Sequence, residues 1–137
     1  LNVNQESCTN HFVQYAGLEA LRGDQSGAHA IVETLKARRG VLAEAVRGIR
    51  GVTVAVPDVT FYLFPDVTDV FTRKGFTDSQ AFRLDALRKT GVSFCSREHF
   101  GRKLPNEDRV YIRMAYSGID VDRIREGLAR LKAHWES

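Results

Sequence analysis

An arginine in the middle of a β-patterned run is the first residue of this sequence that demands a chemical explanation. From Arg109 to Tyr116 the chain alternates, with Val110, Ile112 and Met114 on one side and Tyr111, Arg113 and Ala115 on the other. A guanidinium has five donors and no acceptor, so inside a strand it needs an anion or several carbonyls to satisfy it. Two readings stand side by side. Either the strand is an edge and Arg113 reaches water or an internal Asp along its aliphatic stem, or its planar fork grips a ligand carboxylate through two parallel hydrogen bonds. The second candidate is the loop Ser96-Arg97-Glu98-His99-Phe100-Gly101, where an aromatic followed by glycine lets the backbone turn tightly while the ring covers a pocket. His99 has the chemistry of a general base but no evident nucleophile or orienting carboxylate, and reads as a surface-loop histidine. No Ser-His-Asp order, phosphate loop, dinucleotide fingerprint or HExxH helix occurs.

Cys8 and His11 are three residues apart and Cys95 and His99 four apart, which on paper supplies two thiolates and two imidazoles. Cys8, however, precedes a helical run while Cys95 ends a short strand, and no knuckle glycines frame either pair. No metal site is assigned, and both cysteines are read as reduced thiols. His29, His134 and all five lysines, Lys36, Lys74, Lys89, Lys103 and Lys132, read as solvated side chains.

These residues must be positioned by the elements around them. Apolar residues at helical spacing predict a helix over His11 to Arg22 with one buried stripe and Gly23 as its C-cap. A second periodic run places Ile31, Val32, Leu35, Leu42, Ala45, Val46 and Ile49 on one face of a long helix, with Gly40 tolerated inside it. Strands are expected at Val52 to Val56 and Thr60 to Phe64, separated by Pro57-Asp58. Val67 to Thr77 reads as a loop, after which Asp78 or Ser79 caps a helix that Gly91 ends. Val92 to Cys95 is the third strand and Arg109 to Tyr116 the fourth, and Asp120 caps a last helix with the stripe Ile124, Leu128, Leu131 and Trp135. The order ααββαββα implies an α+β fold, a small and mostly antiparallel sheet of about four strands with helices packed on it.

The 137 residues make one core, and 43% hydrophobic with 27% charged residues excludes disorder and low-complexity tracts. Net charge is +3, with basic and acidic side chains interspersed; a weak RNA binder using the arginine excess is conceivable, but exposed stacking aromatics are not evident. Uncharged apolar stretches such as Val52 to Val56 are far too short to cross a bilayer, and the amino end lacks a signal-peptide layout, so no membrane partner and a cytoplasmic location are expected. The chain opens on Leu1 and its sole methionine is Met114, which leads us to expect a piece of a longer polypeptide.

Six stretches in order resemble the carboxyl-terminal part of a class I/II aminotransferase, the fold-type-I enzymes that use pyridoxal phosphate. Gln14-Tyr15-Ala16-Gly17-Leu18-Glu19-Ala20-Leu21 is similar to the family's helix after its cofactor lysine, and Arg38-Arg39 to its paired arginines. Phe61-Tyr62-Leu63-Phe64-Pro65-Asp66 resembles a family strand, His99-Phe100-Gly101 its pocket loop, Tyr111-Ile112-Arg113 its carboxylate-binding strand, and Arg130-Leu131 its last helix. The resemblance implies that Arg113 holds the α-carboxylate of an amino acid or 2-oxo acid and that Phe100 walls the same pocket. It also implies a lead-in helix over residues 1–26 from a missing large domain, the small domain over 27–137, and a homodimer in which Ser7 to Asn10 lies near the subunit boundary. The family has glycine before the aromatic strand, where this chain has Val59-Thr60, and Pro-Gly where it has Ser96-Arg97. The cofactor lysine, the aspartate facing the pyridinium and the phosphate cradle lie upstream in the family, so no catalytic or cofactor-binding residue is assigned here, and the piece alone is expected to be inactive. A freestanding module that binds an amino acid through Arg113 is the alternative.

Overall fold

Short polar side chains set the starts of the helices. The computed structural model describes residues 8–137; residues 1–7, including Ser7 of the segment assigned to a subunit boundary, lie outside the described residues. The chain divides into two units, Leu1–Glu33 and Thr34–Ser137. Helix α1, His11–Arg22, starts at Asn10, whose side chain accepts the Phe12 N–H at 3.2 Å, and ends where the Gly23 N–H bonds back to Glu19. Its bounds are those the spacing predicts, but the expected buried stripe is exposed: Phe12 is 71% and Leu21 83% accessible. A single helix offers no surface to cover its own apolar side. Helix α2, Ser26–Arg47, runs through Gly40 unbroken and is buried at Leu42, Ala43 and Val46, while Ile31 and Val32 in its first half stay exposed.

The second unit carries a three-stranded sheet, β1 (Tyr62–Leu63), β2 (Cys95–Ser96) and β3 (Ile112–Ala115), in the order β1-β3-β2 with both pairings antiparallel. Helices α3 (Thr68–Arg73), α4 (Ser79–Thr90) and α5 (Val121–Glu136) complete it. Asp78 caps α4 by accepting the Ala81 N–H at 2.7 Å, Gly91 ends that helix at φ +73°, and Asp120 caps α5 through the Arg123 N–H at 2.9 Å. The architecture is the expected α+β layer. No described helix is long and apolar enough to cross a membrane.

Three local expectations are corrected. Val52 to Val56 forms a single antiparallel bridge, Thr53 with Asp66, in place of a strand. The carbonyls of Pro57 and Asp58, which could extend a ladder, are taken by Arg39 Nη1 at 2.9 and 3.2 Å, and Pro57 has no N–H to give. Val67 to Thr77 contains α3, because Asp66 Oδ1 accepts both the N–H and the hydroxyl of Thr68 and so starts a turn that buries Val70 completely. The edge-strand reading of Arg113 also fails, since β3 is the central strand.

Behind the sheet, Leu63, Ile112 and Met114 join the core that α2, α4 and α5 cover. Its centre is aromatic: Phe82 stacks on Trp135 at 5.4 Å between centroids, and Phe94 meets the same indole edge-on at 6.0 Å. The turn that follows α2 depends on Gly51, at φ +80°, where an added Cβ would come within 1.9 Å of Asp69 Oδ1. Gly75 has a similar φ of +74° but open space around it. We expect Gly51→Ala to cost about 2–4 kcal/mol and Gly75→Ala about 1–2 kcal/mol, the first adding a collision to left-handed strain; urea denaturation of the two variants measures the difference.

Candidate functional site

Strand alternation sorts β3 into two functions. Ile112 and Met114 are 1% and 5% exposed and belong to the core, whereas Arg113 and Ala115 lie on the opposite face. Register decides what meets Arg113 there. Cys95 of β2 is directly across from it, and Tyr62 of β1 is across from Ala115. The guanidinium carbon sits 4.3 Å from the centroid of the Tyr62 ring and 4.3 Å from that of Phe100. Among the described residues its one hydrogen bond is to Cys95 Sγ, at 3.8 Å from Nη2. Among the described residues no carboxylate forms an ion pair with Arg113. A thiol is a weak acceptor, so the fork is held flat by rings while its donors go largely unmet by protein.

Each ring is delivered by its own local device. Phe100 ends a 3-10 turn, Arg97–Phe100, that follows β2 directly. Ser96 points into the core side and is 1% exposed; its Oγ lies 2.8 Å from His99 Nδ1, and Arg97 pairs with Glu107 at 3.0 Å across the loop. Gly101, at φ +121° and ψ 178°, then turns the chain away in a region open essentially to glycine alone. His99 therefore does have a hydroxyl beside it, contrary to the sequence reading. That hydroxyl is buried and no described carboxylate orients the imidazole, so the pair clasps the loop and has no nucleophile to offer.

Tyr62 follows a strained residue. Thr60 has φ +71°, left-handed for a β-branched side chain, and its carbonyl accepts the Tyr116 hydroxyl at 2.9 Å, while the Tyr116 N–H donates to Phe61 at 3.1 Å. Tyr116 is 1% exposed, and burial pushes its hydroxyl pKa up, with Arg39 opposing.

The same face continues as Phe64 stacked on Tyr111, 5.3 Å apart and 10° from parallel, and ends at Asp66. Asp66 bridges Thr53 on one side and Tyr111 on the other, and its Oδ2 accepts from Arg109 at 2.7 Å. Thr68 Oγ1, held by Asp66, accepts the Val110 N–H at 2.8 Å. Burial would raise the Asp66 pKa, but hydrogen bonds from the Thr68 hydroxyl and N–H and from Arg109 outweigh it, and the net shift is downward.

Sequence reasoning singled out Arg113 and Phe100, which the structure brings into contact, and did not place Tyr62 or Cys95 beside the same guanidinium. The signal for both was register, since β1 and β2 must each place one residue beside the arginine. His134 is corrected from solvated to paired, with Nε2 2.6 Å from Asp85. A pyridoxal ring needs a Schiff-base lysine and a phosphate cradle. The five lysines are on helices or loops, with Lys74 bonded to Ser137, and none is on the strands that carry the arginine face.

No protein-family model matches the chain. Among curated proteins it is similar to an asparagine–oxo-acid transaminase of Streptococcus mutans, 29% identical over 90% of this chain and 30% of that protein. An aspartate/prephenate aminotransferase of Cereibacter sphaeroides is 30% identical over 96% of this chain and 33% of its own length. Solved structures share the fold: an alanine aminotransferase from Pyrococcus furiosus superposes with a TM-score of 0.79 at 22% identity, covering 94% of this chain and 30% of that one. An aspartate aminotransferase from Rhizobium meliloti gives 0.77 at 22% identity, covering 98% and 33%. The fold and the sequence define the class: this chain is a homologue of the aminotransferases. It corresponds to the carboxyl-terminal part of their much longer chains and spans about a third of the length of the curated relatives it matches.

Two predictions test the supports of the site. Thr60→Gly relieves left-handed strain and is expected to stabilise the chain by about 0.5–1 kcal/mol, read as a raised urea midpoint. Asp66 has its pKa lowered by folding, so the stability it contributes is full above about pH 3.9, the unfolded value, and is lost as pH falls through the lower folded value. Asp66→Asn should therefore cost about 1–3 kcal/mol at pH 7, and the gap between variant and parent should shrink as urea midpoints are followed below about pH 4.

Proposed function

We propose that this chain is the substrate-carboxylate-binding domain of a fold-type-I aminotransferase, with residues 27–137 forming the small domain and residues 1–26 leading in from the remainder of a longer polypeptide. The observation that carries the reading is the Arg113 guanidinium, stacked on Tyr62 and Phe100 at the centre of the sheet, with a sulfur as its only acceptor among the described residues. A planar fork with free donors matches the two oxygens of a carboxylate. Amino acids and 2-oxo acids share that group, so one arginine serves both halves of an amino-group exchange. Phe100 forms one wall of the pocket and limits water around the ion pair, which strengthens it.

The homologues' activity supports pyridoxal phosphate as the cofactor of the whole enzyme, and a pyridoxal-phosphate-bound lyase from Staphylococcus hominis shares the fold at a TM-score of 0.76. In this proposal the cofactor is held by the portion of the polypeptide outside this chain, where the resemblance places its lysine and phosphate cradle. The segment alone is expected to bind and orient a carboxylate without transferring an amino group. Homodimeric assembly and a cytoplasmic location are part of the same proposal, the first following from the resemblance.

In the full-length enzyme, Arg113→Lys replaces a bidentate fork with a point charge. The expected result is a rise of about 10- to 100-fold in KM for the amino acid and the 2-oxo acid alike, the size of a lost charge-assisted hydrogen bond. Steady-state kinetics of both half-reactions measure it. Unchanged KM values for both substrates would overturn the assignment, and tight amino-acid binding by residues 1–137 alone would favour a freestanding binding module.

A further inference from the structure

We infer that Tyr62 is a positioning residue for the substrate carboxylate, acting through Arg113 by fixing the plane of its guanidinium. The inference rests on the carboxylate-binding reading of Arg113 and adds to it a residue on a different strand. Three observations converge on Tyr62. Its ring centroid is 4.3 Å from the guanidinium carbon, the same distance as that of Phe100, so a ring from each flanking side of the central strand holds the fork. The Tyr62 side chain has no hydrogen bond among the described residues, so its ring is held by ring contacts, with Arg113 and with Phe61 at 4.5 Å. Finally, the chain tolerates a left-handed Thr60 two residues before it, pinned by the buried Tyr116 hydroxyl, which sets the path by which Tyr62 reaches the arginine face.

The physical reason is rotational. A guanidinium at the end of a long side chain keeps about 2 kcal/mol of rotamer entropy, part of which is lost when it grips a carboxylate in one orientation. Stacking on aromatic faces removes that freedom beforehand and leaves the N–H edge open for two parallel hydrogen bonds. Phe100 sits on a polar loop, whereas Tyr62 is built into a strand whose neighbour, Leu63, is fully buried. Tyr62 is therefore the fixed half of the clamp.

The test uses the full-length enzyme reconstituted with pyridoxal phosphate, and compares Tyr62→Leu, Tyr62→Phe, Arg113→Lys and the Tyr62→Leu/Arg113→Lys pair. Tyr62→Leu should raise KM for both the amino acid and the 2-oxo acid about 3- to 30-fold, the range of a cation–π contact, with kcat and the thermal midpoint nearly unchanged. Tyr62→Phe, which keeps the ring, should restore KM to within about twofold. In the Arg113→Lys background Tyr62→Leu should add less than about twofold, because its effect passes through the lost fork. If Tyr62→Leu lowers the thermal midpoint, Tyr62→Met replaces it with the same expectations. Wild-type KM in the ring-less variant, or an equal KM rise with and without the arginine, overturns this inference alone. Wild-type KM in Arg113→Lys overturns the carboxylate reading beneath it.

Discussion

A guanidinium on the central strand of a small sheet, stacked on two rings and paired with no carboxylate among the described residues, is the constraint around which the second unit is arranged. Such a cation is costly to desolvate unless something shares its charge, and an internal Asp or Glu at that point would neutralise it and end its use. The chain places its ion pairs elsewhere: Arg109 meets Asp66, Arg97 meets Glu107, and Arg130 meets Glu126. Arg113 receives aromatic faces, which steady it without occupying its donors. The surrounding loop chemistry serves the same end, with the Ser96–His99 clasp and the Arg97–Glu107 pair closing the segment that carries Phe100.

Asp66 is the second organising residue, and it works through the backbone as much as through its side chain. It ties the Val52 to Val56 segment to the sheet through Thr53, starts α3 through Thr68, and links both to the strand approach at Val110 and Tyr111. One residue thus joins three segments far apart in sequence, at the end of the face that displays Arg113. The hydrogen bonds it accepts from groups fixed by the fold keep it ionised against the cost of burial.

Much of this was written in local pattern. The caps Asp78 and Asp120 and the αL glycine Gly91 mark helix ends because the chemistry of orphan N–H and C=O groups is local. The alternation around Arg113 separated core from site because the pleat has period two. What escaped depends on partners distant in sequence. The β-branched run at Val52 to Val56 looks like a strand until Arg39, on another element, takes its neighbours' carbonyls. Helix α3 is six residues long and is started by an Asp two positions upstream of its Thr, too short for periodicity to reveal. Tyr62 carries no polar signal, and only the register of β1 against β3 brings its ring to the arginine. His134 meets Asp85 because α4 and α5 pack together.

The separation of the two faces of β3 also bears on how the chain avoids misassembly. A slip of one residue in the pairing of β3 would drive Arg113 into the aromatic interior around Phe82 and Trp135 and push Ile112 and Met114 out to water. With flanking strands of only two residues each, hydrogen bonding by itself discriminates poorly between neighbouring alignments. The charge of Arg113 also makes the shifted arrangement untenable during folding, so the carboxylate binding proposed for it and the fidelity of strand pairing would reside in one side chain.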